Sequence, residues 1–156
     1  MLAKSRKIAN VVLGEGPRHA SIMLIGQNPG REEARQGRPF VGRSGKFLDK
    51  TLKKYGLDRH LIYITSVVKE TTPNNPKPLK AEIQRWMPHL MSEIEKVNPK
   101  AVVLMGTVAW QVPRSANIKY IETYHRAAAM RFPKARARFE RDLTGLRLFV
   151  DQANPN

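Results

Sequence analysis

Two amides stand in a loop shaped to display them. The segment Gly26-Gln-Asn-Pro-Gly30, followed by Arg38-Pro-Phe-Val-Gly-Arg-Ser-Gly45, carries most of the chemical information in the chain. Pro29 and Gly30 force a tight turn in which backbone N–H groups are expected to point outward, with Gln27 and Asn28 displayed. A carboxamide does not ionise near neutral pH. Its oxygen accepts hydrogen bonds and its nitrogen donates them, so it orients a water or a polar ligand rather than acting as a base. The apolar run Ser21-Ile-Met-Leu-Ile25 reads as a buried strand that stops at Gly26. A polar, glycine-rich loop at the carboxyl end of such a strand is where open α/β sheets place ligands. The pentapeptide also fits a plain strand-to-helix turn, because short glycine motifs recur without function.

The elements that must position this loop are legible as apolar patterns. Ile22–Ile25, Leu61–Val68, Ala101–Met105 and Lys119–Tyr124 read as strands. Phe47, Leu48, Thr51, Leu52 and Tyr55 mark one face of a helix from about Ser44 to Tyr55, and Gly56 is its natural stop. Leu79, Ile83, Trp86, Met87, Leu90, Ile94 and Val97 recur at helical spacing along a second helix. Pro88 lies within it and should kink it or delay its start. Phe132, Ala135, Phe139, Leu143, Leu146 and Val150 define a third. Alternating strands and helices predict an α/β fold, a three-layer α/β/α arrangement around a central, mainly parallel four-stranded sheet. The proline-rich stretch Thr71–Pro78 must be a loop at the same sheet edge as Asn28. Residues 1–156 read as a single domain, with 1–19 as a basic N-terminal extension.

Lysine and arginine number 28 against 13 aspartate and glutamate, a net charge of +15 over 156 residues. Such a field favours a polyanionic partner, either nucleic acid or an acidic membrane surface. No apolar run approaches the ~18 residues of a membrane span. The basic start Met1-Leu-Ala-Lys-Ser-Arg-Lys7 is not followed by an apolar signal core. A cytoplasmic, intracellular protein is the expectation, nucleoid-associated in a prokaryote and without membrane contact. The chain has no cysteine, hence no disulfide, thiol nucleophile or thiolate-held cluster. Neither a metal nor a cofactor is expected.

Gly26-Gln-Asn-Pro-Gly30, Glu33, Gly37-Arg-Pro-Phe-Val-Gly42 and Ser44-Gly45 together resemble the uracil-DNA glycosylase superfamily, and most closely its family 4. The similarity continues in order along roughly residues 20–150. Ile64-Thr-Ser-Val-Val-Lys69 is similar to the family's second strand, Pro73-Asn-Asn-Pro76 and Glu82-Ile83 to the loop and helix after it, and Val103-Leu-Met-Gly106 to the third strand. Thr123-Tyr-His-Arg-Ala-Ala-Ala-Met-Arg131 resembles the family's His-Pro-Ala-type motif, and Phe132-Pro133 through Asp142-Leu143 its closing helix. Family 4 usually holds an iron–sulfur cluster on four cysteines. Glu70 and Trp86 stand at two of those positions here, and Trp86 is expected to fill part of the vacated volume.

The resemblance implies hydrolysis of the bond between a base and its sugar in DNA. The transition state carries oxocarbenium character on the sugar and negative charge on the departing base. A site must therefore unstack the nucleotide, hold the base edge, place a water near C1′ and stabilise the anion. It assigns Gly26, Gln27, Pro29 and Gly30 to the base-binding loop and Asn28 to the water. Family 4 usually has a small apolar residue at this last position, whereas the mismatch-specific and single-strand-selective classes have Asn. Gln27 replaces an acidic residue, so slow turnover is expected. His125 would stabilise the leaving anion, and Phe40 would stack on the flipped base. Ser66 stands where the family reads uracil with an Asn, which implies weaker or different base selection. Met130 and Arg131 match an apolar wedge and its backbone cation, and Arg126 replaces the family's Pro beside the site. Lys134, with Arg136, Arg138 and Arg141, extends a basic face toward phosphates, and Ser44 and Gly45 at a helix start could hold another. His19, His60 and His89 read as ordinary surface or core residues.

The implied protein is a monomeric, monofunctional DNA glycosylase without lyase activity. Its partner would be double- or single-stranded DNA containing a damaged or deaminated base. The alternative is a DNA-binding superfamily member with lost or altered excision, which Ser66, Arg126 and the missing cysteines favour. A basic RNA-binding accessory protein accounts for the charge but not for the ordered motifs.

Overall fold

The computed structural model describes residues 11–71 and 77–153, with the side chains of Gln152 and Ala153 excepted. Four short strands, β1 (Ile22–Gly26), β2 (Ile62–Ser66), β3 (Ala101–Met105) and β4 (Lys119–Thr123), pair in the order β2-β1-β3-β4. Every pairing is parallel. The two central strands are buried along their whole length, which is why β1 and β3 read as continuous apolar runs rather than alternating ones. The edge strand β4 keeps polar residues such as Lys119 and Glu122.

Among the described residues five α-helices surround the sheet: α1 (Arg31–Gln36), α2 (Gly42–Lys54), α3 (Lys80–Val97), α4 (Arg126–Arg131) and α5 (Pro133–Ala153). Side chains alternate across a strand, so each strand feeds two cores. Leu24 and Val103 face Leu48 and Leu52 of α2, Ala129 of α4 and Phe139 of α5. Ile25 and Val102 face Leu90, Ile94 and Val97 of α3 on the other side. The three layers of the α/β/α expectation are thus present, and the sheet is wholly rather than mainly parallel.

Several boundaries differ from the sequence reading. Leu61 leaves the second strand for a 3₁₀ turn at Arg59–Leu61, and β2 ends at Ser66, where the Ser66 hydroxyl bonds Val68 O at 2.7 Å and bends the chain. The second helix begins at Lys80, its start capped by the Glu82 carboxylate on Leu79 N–H at 2.7 Å, so Pro88 lies inside it without delaying it. Phe132 precedes α5 instead of joining its apolar face and is 54% exposed. The short helices α1 and α4 have too few residues to show a period.

Residues 11–19 do not extend away from the domain. They run antiparallel along the outer edge of β2: Glu15 and Ile64 exchange backbone hydrogen bonds at 2.9 Å, and Val12 N–H donates to Lys69 O at 2.8 Å. This covers an edge that would otherwise expose unpaired backbone groups. The rest of the supposed extension, residues 1–10, and the Pro73-Asn-Asn-Pro76 motif lie outside the described residues. Among the described residues no helix is long and apolar enough to cross a membrane.

Candidate active site

Four parallel strands deliver their carboxyl ends to one edge. Gly26 and Ser66 are register partners there, and β3 and β4 end beside them at Met105 and Thr123. The chain leaves β1 toward β2 and later returns to β3 on the other side, so the loop after β1 sits at the topological switch point. In that loop the Gln27 side-chain amide donates to Asn28 Oδ1 at 3.3 Å.

Two glycines make room for Phe40. Its ring lies against Gly26, where a Cβ would come within 2.7 Å of Cζ, and its carbonyl lies against Gly45, where a Cβ would come within 2.0 Å of the oxygen. Phe40 itself has φ +50, a left-handed conformation that costs a non-glycine residue on the order of 1–3 kcal/mol. The Arg59 guanidinium offsets that cost by donating to the carbonyls of Pro39 and Phe40. Gly45 therefore serves close packing. Its N–H already donates to Val41 O at 3.2 Å, and Ser44 lies in the first turn of α2.

Glu33, part of the sequence motif but given no role there, is the buried hub of the site. One carboxylate oxygen accepts from Gly30 N–H at 2.7 Å and from Arg126 Nη2 at 3.1 Å. The other accepts from Val41 N–H at 3.0 Å. One side chain thus ties the first loop, the second loop and α4 together, and the Gly30 N–H faces inward rather than outward. Arg126, expected on the DNA face, is also turned inward. Its guanidinium lies 4.5 Å from the centroid of the Phe40 ring, and its side chain is 13% exposed. The reason is electrostatic: a buried carboxylate at hydrogen-bond distance outcompetes solvent for the cation.

Asn28, Pro29, Phe40, Ser66, Glu33 and Arg126 line a half-open cavity with about 10 Å³ of room. A void of that size holds at most one water. A larger groove of about 760 Å³ lies beyond the 39–42 loop and shares only Phe40 with it, holding neither loop amide nor His125. Of the chemistry-bearing residues, Asn28, Phe40 and Ser66 line the small cavity.

His125 caps α4. Its Nδ1 accepts from Ala127 N–H at 3.1 Å, and its side chain packs on Gly106, whose own φ is +93. Burial, helped by the adjacent Arg126 cation, pushes its pKa down from 6.5 to about 4. The ring is therefore neutral at pH 7, and because Nδ1 accepts, its proton sits on Nε2 as a donor. His125 stands beside the cavity without lining it. His19, His60 and His89 are all exposed.

Behind Ser66 lies a second unanticipated feature. Lys69 is fully buried; its ammonium donates to Ser66 O and pairs with Glu93 of α3 at 2.7 Å. Glu93 also accepts from Tyr63 OH at 2.8 Å and from Thr65 Oγ1 at 3.1 Å. Burial lowers the Lys69 pKa, opposed by the Glu93 charge. The only sequence cue was a lysine closing an apolar run. Because the Ser66 hydroxyl donates its one proton to Val68 O, it offers any ligand an acceptor alone.

The cations of the basic face are all exposed, and two of them are engaged. Arg136 donates to the carbonyls of Ala129 and Met130 at the end of α4, and Arg138 pairs with Asp142 at 3.6 Å. Arg131, Lys134 and Arg141 are exposed, and Met130 is half-buried beside the exposed Phe132. On α3, Trp86 Nε1 donates to Glu70 at 2.7 Å and Arg85 pairs with the same carboxylate. The two positions that would carry cluster ligands thus hydrogen-bond each other. With no thiolate in the chain, this donor set does not fit an iron–sulfur cluster.

A parallel α/β sheet with its polar loops gathered at the switch point defines a ligand-handling α/β protein. The same fold occurs in the crystal structure of wild-type Pedobacter heparinus SMUG2, with a TM-score of 0.56 over 85% of this chain and 77% of that one, at 13% identity. The family model of the uracil DNA glycosylase superfamily matches residues 13–146, and the chain belongs to that family. A type-4 uracil-DNA glycosylase of Pyrobaculum aerophilum is 32% identical over 96% of this chain and 90% of that protein. Its counterpart from Sulfurisphaera tokodaii is 34% identical over 88% of this chain and 74% of that protein.

Proposed function

We propose that the protein is a monofunctional DNA glycosylase that hydrolyses the bond between uracil, or a related deaminated base, and deoxyribose in DNA. The observation that carries this is the meeting of the Gly26–Gly30 loop, Phe40 and Ser66 at one sheet edge, with a neutral His125 beside them, in a member of this family.

Water adds to C1′ as the C1′–N1 bond breaks, and the bonding pair leaves with the base. Asn28 orients that water through its carboxamide, and the water's proton passes to solvent or to the departing base, since an amide does not retain it. His125 donates its Nε2–H to O2 of the leaving base without transferring the proton, because a ring with pKa about 4 is a hydrogen-bond donor held in its neutral form. Ser66 accepts from N3–H of uracil but makes no second bond, so uracil is held less selectively than by an amide. The exposed Arg131, Lys134 and Arg141 meet phosphates together with Ser44, and Met130 is the wedge. The enzyme acts as a monomer in the compartment that holds the DNA, on double or single strands.

Single-turnover incubation with oligonucleotides carrying uracil, hypoxanthine, xanthine or a thymine mismatch, followed by alkali, tests the reading. His125→Ala and Asn28→Ala should each slow excision by ~10²–10³ with DNA affinity unchanged. Ser66→Asn should raise uracil excision or narrow the range of bases. The second reading, a DNA-binding member with lost or altered excision, draws on the small cavity and the engaged Ser66 hydroxyl. Wild type and Ser66→Asn that bind DNA and release no base would decide for it.

A further inference from the structure

The pocket that should receive a base has little room, and Arg126 is one of its walls. The Arg126 guanidinium lies over the Phe40 ring, 4.5 Å from its centroid, and with Asn28, Phe40 and Ser66 lines a space of about 10 Å³. That is room for about one water, and a pyrimidine is several times larger. A base cannot stack on Phe40 while the guanidinium lies there.

The contacts of Arg126 make it displaceable. Its partner Glu33 keeps two backbone donors, Gly30 N–H at 2.7 Å and Val41 N–H at 3.0 Å, whether the arginine stays or leaves. The carboxylate is therefore not orphaned by opening, which removes the main penalty for breaking a buried pair. Of the two side chains, that of Arg126 is the more exposed, 13% against 4%. A phosphate diester offers its planar fork a bidentate partner in exchange for Glu33 and the ring face.

We infer that Arg126 is a gate over Phe40 that determines which nucleotides enter: a DNA phosphate draws the guanidinium off the ring, and only then does the pocket admit a base. This deepens the glycosylase reading and rests on it for the identity of the incoming base. Coupling admission to backbone capture keeps free bases and nucleosides out, since the apparent affinity of a ligand falls with the fraction of molecules already open.

Fluorine NMR of protein labelled with 4-fluorophenylalanine reads the gate directly, with the Phe40 signal assigned by Phe40→Leu. In wild type, undamaged duplex DNA should move the Phe40 resonance toward its position in Arg126→Ala. Free uracil should perturb Phe40 in Arg126→Ala and not in DNA-free wild type. The apparent Kd for free uracil should be at least about tenfold lower in Arg126→Ala than in wild type. Arg126→Lys keeps a cation for Glu33 but cannot stack as a plane, and it should open partially, which serves if the alanine variant folds poorly. A Phe40 signal that saturating DNA leaves unmoved in wild type would overturn the gate. So would an Arg126→Ala protein that excises more slowly and binds free uracil no better than wild type. Movement of Phe40 on DNA in a protein that excises no base from any oligonucleotide would leave the gate standing and sink the glycosylase reading instead.

Discussion

Two buried ion pairs flank the Gly26–Ser66 rung, one toward α3 and one toward α1 and α4. In Lys69–Glu93 the cation is fully buried, and the carboxylate's other partners are the hydroxyls of Tyr63 and Thr65 on β2. In Arg126–Glu33 the carboxylate is sealed while the cation is a wall of the cavity. Both place a charge pair in low dielectric, yet they differ in what remains when the cation leaves. Glu93 would be left with neutral hydroxyls, whereas Glu33 keeps two backbone N–H donors. Burial alone does not mark a pair as structural or functional. The satisfaction of the partner left behind does.

That comparison can be broken by stability measurements. Lys69→Met should have the largest effect, a loss of about 3–5 kcal/mol in urea denaturation, because it strands a buried carboxylate. Adding Glu93→Leu should restore much of that loss by removing both charges together. Arg126→Ala should cost less, about 1–2 kcal/mol, since it forfeits a cation–π contact and one charged hydrogen bond while leaving Glu33 satisfied. Equal costs for the two substitutions would erase the distinction.

The pH dependence sharpens it further. The folded His125 stays neutral down to about pH 4, whereas in the unfolded chain it gains its proton near 6.5. Between those values the unfolded state binds the extra proton, so the stability tied to the neutral ring is present above 6.5 and is lost as pH falls toward 4. His125→Gln should flatten that acid-side slope. In Arg126→Ala, an NMR titration should find the His125 pKa raised from about 4 but still below 6.5, because burial is the larger cause and the cation the smaller one. The smallest effect is expected on α3, where Trp86→Phe removes one hydrogen bond to Glu70 and should cost about 1 kcal/mol in the same urea assay.

The strands, the long helices and the loop chemistry were legible because each depends on residues close in sequence. Ile22–Ile25 and Ala101–Met105 read as apolar strands and are strands, with the Asn-Pro-Gly turn following the first of them. The positions of Asn28, Phe40 and Ser66 around one cavity also follow that reading. The orientation of Arg126 did not. A cation beside a matched motif in a chain of net charge +15 reads as one more phosphate contact. Arg136 and Arg138 read the same way, yet one is engaged with the end of α4 and the other with Asp142.

The α/β architecture, the family motifs, the lack of thiolate ligands and the net positive charge were readable along the chain, because periodicity, turn chemistry and net charge are local or additive properties. That Glu33 is a hub, that Lys69 is sealed and that Arg126 lies on Phe40 emerged only from the folded arrangement. Glu33 and Arg126 are 93 residues apart and Lys69 and Glu93 sit on different elements, so each pair exists only once the strand order β2-β1-β3-β4 has brought its partners to the same edge. Electrostatic partners are chosen by distance in space, and no pattern along the chain encodes that distance.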